Sequence, residues 1–578
     1  MPASRAPKAG WRVEPSRDEN RSRQEERVSG KETKRAAEVL LDVLEGAGVR
    51  RIFGVPGESY LTLLDALHDR RGRLDFIACR HEANAANMAE ATAKLTGRPG
   101  VVAVTRGPGA THATIGLHTA FQDSTPIVCL VGQVARTMRD REAFQEIDYR
   151  LFLAEVTKWT AEIGEADRMA EYALRAIHSA LAGRQGPVAL ALPEDLLGEP
   201  AGAAPAPPLP PLQATPDTRQ VEEIAGRLAG ARRPLILVGG TPWEEAEARA
   251  LQEAAETARI PVAASFRAQS LIDNESPAYA GHMGIGANPA LVRRMQEADL
   301  LIAIGPRLGE MTTDGYRRLA VPAGEVPLVH VHAGAEELGR VYRPDNAVPA
   351  APGRFAAALA EALDGSGAEK REDWFSDARA DELAWRTPID NPGDVQLARF
   401  YARLRERLPA HAILANGAGN YAAFLHRFFV YRGFRTQLAP TSGAMGYGVP
   451  AGIAAALEHP DRPVVAVAGD GCFMMAAQEL ATAAATSARV VFIVMNNGMY
   501  GTIRMHQERE FPGRVSGTTL VNPDFVAFAR SFGLPAARVA RDVEVDDALA
   551  RALASDGPAL IEVRVDPRAI APGRALES

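Results

Sequence analysis

The sequence is poor in cysteine: three in 578 residues, at Cys79, Cys129 and Cys472, with no CxxC pair. That excludes a disulfide framework and points to a reducing, cytoplasmic setting. It lacks any apolar run approaching the ~20 residues needed to cross a bilayer, so no membrane partner is expected. Its longest apolar runs, at 300–304 and 490–495, have the length of buried strands. It has no excess of positive charge. Lys+Arg is 65 against Asp+Glu 72, a formal net charge of −7, so non-specific binding to nucleic acid is not expected. It also lacks the composition of a disordered chain, with 46% hydrophobic and 24% charged residues. Residues 1–33 contain no apolar h-region and mix Arg with Glu14, Asp18, Glu19, Glu25 and Glu26. They read as a disordered tail rather than a targeting segment.

What is present, from residue 34 onward, is an alternation of helical stretches with short β-branched runs. This is the pattern of parallel sheets covered by helices. Strand-like runs fall at 51–54, 100–105, 127–132 and 188–192, then at 234–238, 260–263, 300–304 and 328–332, and finally at 412–415, 464–468, 490–495 and 559–563. VVAVAG and VVFIVM are apolar throughout, as strands buried on both faces are. The expected fold class is α/β, with three doubly wound parallel-sheet domains at 34–200, 216–366 and 389–567. A Pro-rich linker at 201–215, a charged linker at 367–388 and a tail at 568–578 complete the division.

In such sheets ligands bind beyond the carboxyl ends of the strands. Four strand-end segments there are glycine-rich or polar: TRGPGAT (105–111), 239–241, TSGAMGYGVP (441–450) and GDGC (469–472). Asp470 ends one expected strand, and Asn496 and Asn497 end the next. Neighbouring parallel strands would bring Asp470 and Asn497 together. A carboxylate, an amide oxygen and a backbone carbonyl make a hard oxygen set suited to Mg²⁺. The same two residues also read as ordinary strand-end turn formers.

GDGCFMMAAQELATAAATSARVVFIVMNN (469–497) resembles the fingerprint of thiamine-diphosphate-dependent enzymes, in which GDG and NN flank a helix and a strand. CRHEANAANMAEATAKLTGRPGVV (79–102) is similar to the family's glutamate segment. TRGPGATHATIGLHTAFQDSTPIVCLVGQV (105–134), AFQEIDY (143–149) and SGAMGYGVPAG (442–452) resemble acetolactate synthase large subunits. The likeness extends over most of 34–567.

The resemblance implies thiamine diphosphate and Mg²⁺ as cofactors and a role for each matching residue. Glu82 would bond N1′ of the aminopyrimidine and drive removal of the thiazolium C2 proton. Met445 would wedge the cofactor into its V shape, and the Gly443 carbonyl would accept from the 4′-amino group. Asp470, Asn497 and the Met499 carbonyl would hold the metal. Gly471 and Cys472 would lie against the pyrimidine and diphosphate, and Gly419 and Asn420 against the diphosphate. Tyr421 stands where the family often has histidine. Gln133 matches a glutamine near the active site and also reads as a satisfied strand-end amide. Since the family's glutamate faces the diphosphate domain of another subunit, a homodimer or homotetramer is implied.

The implied function is decarboxylation of a pyruvate-like 2-oxo acid with carboligation to an acceptor. Several departures keep a non-ligating decarboxylase or C–C lyase open as the alternative. Glu58 stands where related decarboxylases place an aspartate, and it could deliver a proton once carbon dioxide has left. His506 replaces the tryptophan that shapes acceptor preference. Arg504 could bind a substrate carboxylate. His112 takes the place of a common asparagine and reads as loop packing or a pocket donor. FAD is a possible further cofactor: GHMGIGANP (281–289) resembles the family's FAD-lining segment, whereas GPRLGEMTTDGY (305–316) lacks its RFDD pattern.

Overall fold

Aliphatic and β-branched runs build three six-stranded sheets, and every strand pair within them is parallel. The structure is a computed structural model and describes residues 34–202 and 207–577. The expected tail at 1–33, residues 203–206 of the Pro-rich stretch and residue 578 lie outside the described residues. Among the described residues, no helix is long and apolar enough to cross a membrane.

The first sheet runs Asp75–Ala78, Arg51–Gly54, Gly100–Val104, Ile127–Gln133, Val188–Pro193, Trp159–Glu162 in spatial order. Counted along the chain, that order is 2-1-3-4-6-5. The third sheet repeats it with Gln437–Leu438, Ile413–Asn416, Val464–Gly469, Val490–Asn496, Ala559–Arg564 and Ala536–Val539. The middle sheet, Pro234–Val238 through Asn346–Pro349, runs 3-2-1-4-5-6. That is the doubly wound order with a switch point between its first and fourth strands. The first and third domains thus share a topology that their residues did not reveal.

Inner strands such as Ile127–Gln133 and Val490–Asn496 are buried along their whole length. Helices cover both faces, so polar alternation would place side chains with nowhere to go. The six edge strands, among them Trp159–Glu162, Asn346–Pro349 and Ala536–Val539, are absent from the sequence reading. Those three are partly exposed.

The first and third domains pack through the Ala-rich helix Glu82–Thr96 against the helix Gly448–Glu458, in one shared core containing Ala85, Ala89, Ala451 and Ala455. Small side chains on both helices allow that close approach. A buried charged cluster reinforces the seam. Lys94 Nζ lies 2.9 Å from Glu90 Oε1 and also pairs with Asp123. Tyr447 donates its hydroxyl to Glu90, and Asp123 accepts the Thr441 N–H at 2.8 Å. Burial pushes the Glu90 carboxyl up while the Lys94 ammonium pulls it down. The cluster anchors the 439–447 loop, which carries Gly443 and Met445.

Residues 367–388, expected as a linker, instead contain the helix Glu372–Trp385 packed on the middle domain. Most of its charges occupy the outer face, while Glu382 is buried and pushed up to about 7 by that burial. Phe375 enters the middle-domain core, and the buried Arg371 side chain donates to the carbonyls of Ala258, Leu228 and Ser366 at 2.7–2.8 Å.

Candidate active site

Strands Val464–Gly469 and Val490–Asn496 are neighbours, with Gly469 opposite Met495. Their carboxyl ends therefore deliver Asp470 and Asn497 side by side. Asp470 is 2% exposed. Its Oδ2 accepts the Gly498 N–H at 2.8 Å and the Asn522 side-chain N–H at 2.7 Å. Asn497 Oδ1 accepts the Met499 N–H at 3.2 Å, and the Met499 carbonyl accepts the Gly501 N–H at 3.0 Å. A bridge between Met499 and Thr519 pins this loop from outside.

Burial pushes the Asp470 carboxyl above the usual carboxylate range. Hydrogen bonds from Asn522 and from the backbone of Gly471 and Gly498 oppose that shift. Burial and these hydrogen bonds, rather than a cationic side chain, are the main influences on it. A buried carboxylate beside an amide oxygen and a carbonyl is a donor set that fits a hard divalent cation.

These groups open onto a cavity of about 1030 Å³ where the three domains meet. Gly443 and Met445 line it from the 439–447 loop, and Gly471 and Cys472 line it from the short helix that Asp470 starts. Gly419 and Asn420 line it at the start of the helix Asn420–Phe428. Gly419, the N-cap of that helix, has φ +145°, a conformation that side-chain-bearing residues rarely adopt. The Asn420 side chain ties down neighbouring segments instead, donating to the Ile570 carbonyl at 2.6 Å and accepting from Thr502 Oγ1 at 2.8 Å. The Tyr421 hydroxyl accepts the Gly417 N–H at 3.0 Å and lies 3.4 Å from Cys472 Sγ.

Four contributors escaped the sequence reading. Asn522 braces Asp470 from a distant loop and bears no motif. Lys94 and Asp123 line the cavity from the first domain. Arg267, in the middle domain, donates to the Gly417 carbonyl at 3.1 Å and to the Pro440 carbonyl, linking the two loops that hold Gly419 and Gly443. A lone Arg after a short strand carries no signal for that role.

Glu82 is elsewhere. It is the first residue of its helix, follows the N-cap His81 and is 8% exposed. Its Oε2 lies 2.9 Å from His112 Nδ1. Among the described residues, those lining the cavity do not include Glu82. Glu58 is exposed, with Oε1 3.9 Å from Arg106 Nη2. Gln133 is buried at its strand end. Its amide donates to the Ile147 carbonyl at 2.9 Å and to Glu162 at 3.3 Å, and its Oε1 accepts the Val134 N–H. His506 lines the cavity from the helix Gly501–Glu510, on which no residue is buried. On the same helix Arg504 pairs with Glu508. All three cysteines are buried and unpaired. Burial raises each thiol, Cys129 to about 12, so none is poised as a nucleophile.

Three family models match the chain in order. They are the thiamine pyrophosphate enzyme N-terminal TPP binding domain at residues 34–151, the central domain at 221–359 and the C-terminal TPP binding domain at 417–563. The chain is 30% identical over 535 residues to acetolactate synthase isozyme 2 large subunit of Escherichia coli, covering 92% of this chain and 95% of that one. It is 31% identical to a probable acetolactate synthase large subunit of Methanocaldococcus jannaschii, covering 92% of each chain. It is 30% identical to the acetolactate synthase large subunit of Corynebacterium glutamicum, covering 94% of this chain and 87% of that one. The matched order of domains and the strand-end donors converging on one cavity agree: the chain belongs to the thiamine pyrophosphate enzyme family, as an acetolactate synthase-like enzyme.

Proposed function

We propose that the enzyme decarboxylates a pyruvate-like 2-oxo acid and joins the remaining carbonyl-derived unit to a second carbonyl compound, with thiamine diphosphate and Mg²⁺. With pyruvate in both roles, two pyruvates give one acetolactate and one carbon dioxide. The observation that carries this reading is the convergence of Asp470, Asn497 and the Met499 carbonyl with Gly443 and Met445 on one cavity. When bound, thiamine diphosphate would supply a nucleophilic carbon and a sink for the electron pair released with carbon dioxide.

The chain's own groups would then divide the work. Asp470, Asn497 and the Met499 carbonyl hold the metal, and first-turn N–H groups after Gly419 receive the diphosphate. The Gly443 carbonyl would accept from the 4′-amino group, and Met445 would support the bound cofactor. Glu82 would hold a proton at N1′. The middle-domain side of the cavity, with Gly240, Gly305 and Arg307 at the strand-order switch, suits a second, nucleotide-like cofactor. Arg307 is held by Glu337, with Nε 3.5 Å from Oε2, and by the Gln122 carbonyl at 3.1 Å, and on the glycine turns beside it we extend the proposal to FAD. Flavin absorbance of the purified protein tests that extension.

Glu82 lines no part of the cavity in its own chain, which supports an active site completed by a second copy, in a homodimer or homotetramer. Exposed apolar side chains on both outer domains, Phe144 and Leu151 on the first and Met475 and Phe511 on the third, support the same assembly. The domain division at 34–200, 216–366 and 389–567 is part of this proposal, with the helix Glu372–Trp385 joined to the middle domain. Cytoplasmic location is also part of it, argued from cysteine usage.

The second reading is a non-ligating decarboxylase or C–C lyase. The exposed Glu58 carboxyl group, 3.9 Å from Arg106 at the end of a first-domain strand, favours it. Product analysis with pyruvate, thiamine diphosphate and Mg²⁺ separates the two. Acetolactate is the expected product, and acetaldehyde without acetolactate would establish the second reading.

A further inference from the structure

We propose that His112 is the positioning residue of Glu82, holding one carboxylate oxygen so that the other is presented to the cofactor's aminopyrimidine. The inference rests on the reading of Glu82 as the group that faces N1′. A carboxylate at the first turn of a helix has favourable electrostatics there, but nothing in that location fixes its rotation. Here the rotation is fixed. His112 Nδ1 lies 2.9 Å from Glu82 Oε2, and among the described residues this is the one side-chain hydrogen bond Glu82 makes. Facing an ionised Glu82, the imidazole must carry a proton on Nδ1 and donate it.

His112 is itself held. Its ring stacks on His81, with centroids 4.5 Å apart and planes tilted by 31°. His81 is set in turn by its own N-cap bond, in which Nδ1 accepts the Ala83 N–H at 3.1 Å. The order therefore runs from the helix backbone through two imidazoles to the carboxylate. The other oxygen is spared on purpose of shape: a Cβ on Gly109 would sit 3.3 Å from Glu82 Oε1 and 2.9 Å from Thr105 Cγ2, so glycine there keeps the approach open. His112 and Gly109 lie one turn apart on the helix Pro108–Asp123. One helix thus grips one oxygen and clears space at the other. Both imidazole partners come from the same chain as Glu82, so the carboxylate is preset before a second copy docks.

The test uses the holoenzyme and reads exchange of the cofactor's C2 proton with deuterium, stopped in acid and followed by proton NMR, alongside cofactor affinity. The His112 side chain is half exposed, so truncation should not disturb folding, which circular dichroism checks. His112→Ala is expected to slow C2 exchange and turnover about 10–100-fold, the scale expected for a misplaced reacting group, with thiamine diphosphate affinity nearly unchanged. His112→Asn, whose side-chain N–H can occupy the place of the Nδ1–H, is expected to restore most of the exchange rate. Wild-type exchange in His112→Ala overturns the proposal, and so does an Asn variant as slow as the Ala variant. Glu82→Gln distinguishes the underlying reading. If it exchanges at the wild-type rate, both claims fall. If it is slow while His112→Ala is normal, the positioning role alone falls.

Discussion

Glu82→Gln is expected to leave a folded protein that retains thiamine diphosphate and Mg²⁺ while losing about 10²–10⁴-fold in turnover of a 2-oxo acid, the range for removal of a general acid–base group. The substitution preserves volume and keeps an oxygen for the His112 N–H. What it removes is the ability to hold and release a proton. Loss of the negative charge at the helix N-terminus costs only about 0.3–1 kcal/mol, too little to explain inactivity through unfolding. Product formation and C2-proton exchange should fall together, because both depend on the same proton. Full exchange with lost turnover would place Glu82 in a later step than the one assigned here.

Asp470→Asn is expected to abolish retention of Mg²⁺ and thiamine diphosphate while making the cofactor-free protein more stable. The two effects have one cause. Burial raises the Asp470 carboxyl, so the ionised form is disfavoured in the folded chain. A group raised on folding contributes stability that is present below its unfolded value and lost as pH rises through its folded value. Near neutral pH, the uncompensated charge is therefore a cost in the cofactor-free protein, and a bound cation offsets it. Asparagine keeps an oxygen for the Gly498 and Asn522 donors without the charge. We expect the apparent unfolding temperature of the metal-free variant to rise by about 2–4 °C, as ~1 kcal/mol does for a domain of this size. Added Mg²⁺ and thiamine diphosphate should raise it in wild type only. In wild type, metal affinity should weaken on acidification sooner than an ordinary carboxylate would dictate. Equal stabilisation of both proteins by the cofactors would contradict the metal role of Asp470.

The interior of each sheet was legible because burial on both faces leaves an apolar run such as VVFIVM. The edges were not. WTAE, NAVP and AARV pair on one side only and meet solvent, so their composition matches that of loops. The same logic explains 367–388: a helix that buries Phe375, Ala378 and Glu382 while exposing most of its charges looks like a linker in one dimension. Asp470 and Asn497 could be paired in advance because neighbouring parallel strands end together. Asn522, Arg267 and the Glu90–Lys94–Asp123 cluster could not, since each acts across domains or from a loop with no pattern. His112 was visible only as a departure. Its bond to Glu82 depends on two helices meeting at their starts, which spacing does not encode.

The central claim is that Glu82 of one chain serves the metal and cofactor groups of another. Co-expressing Glu82→Gln and Asp470→Asn chains with different tags, and purifying the mixed assembly, tests it most directly. Each variant alone should be inactive. In a mixed dimer, the Glu82 of one chain meets the Asp470 of the other, so one of the two sites is intact. Random pairing should then restore about a quarter of wild-type activity, and doubly selected dimers about half. Mixed dimers as inactive as either parent would contradict the account, because every site would then draw Glu82 and Asp470 from the same chain.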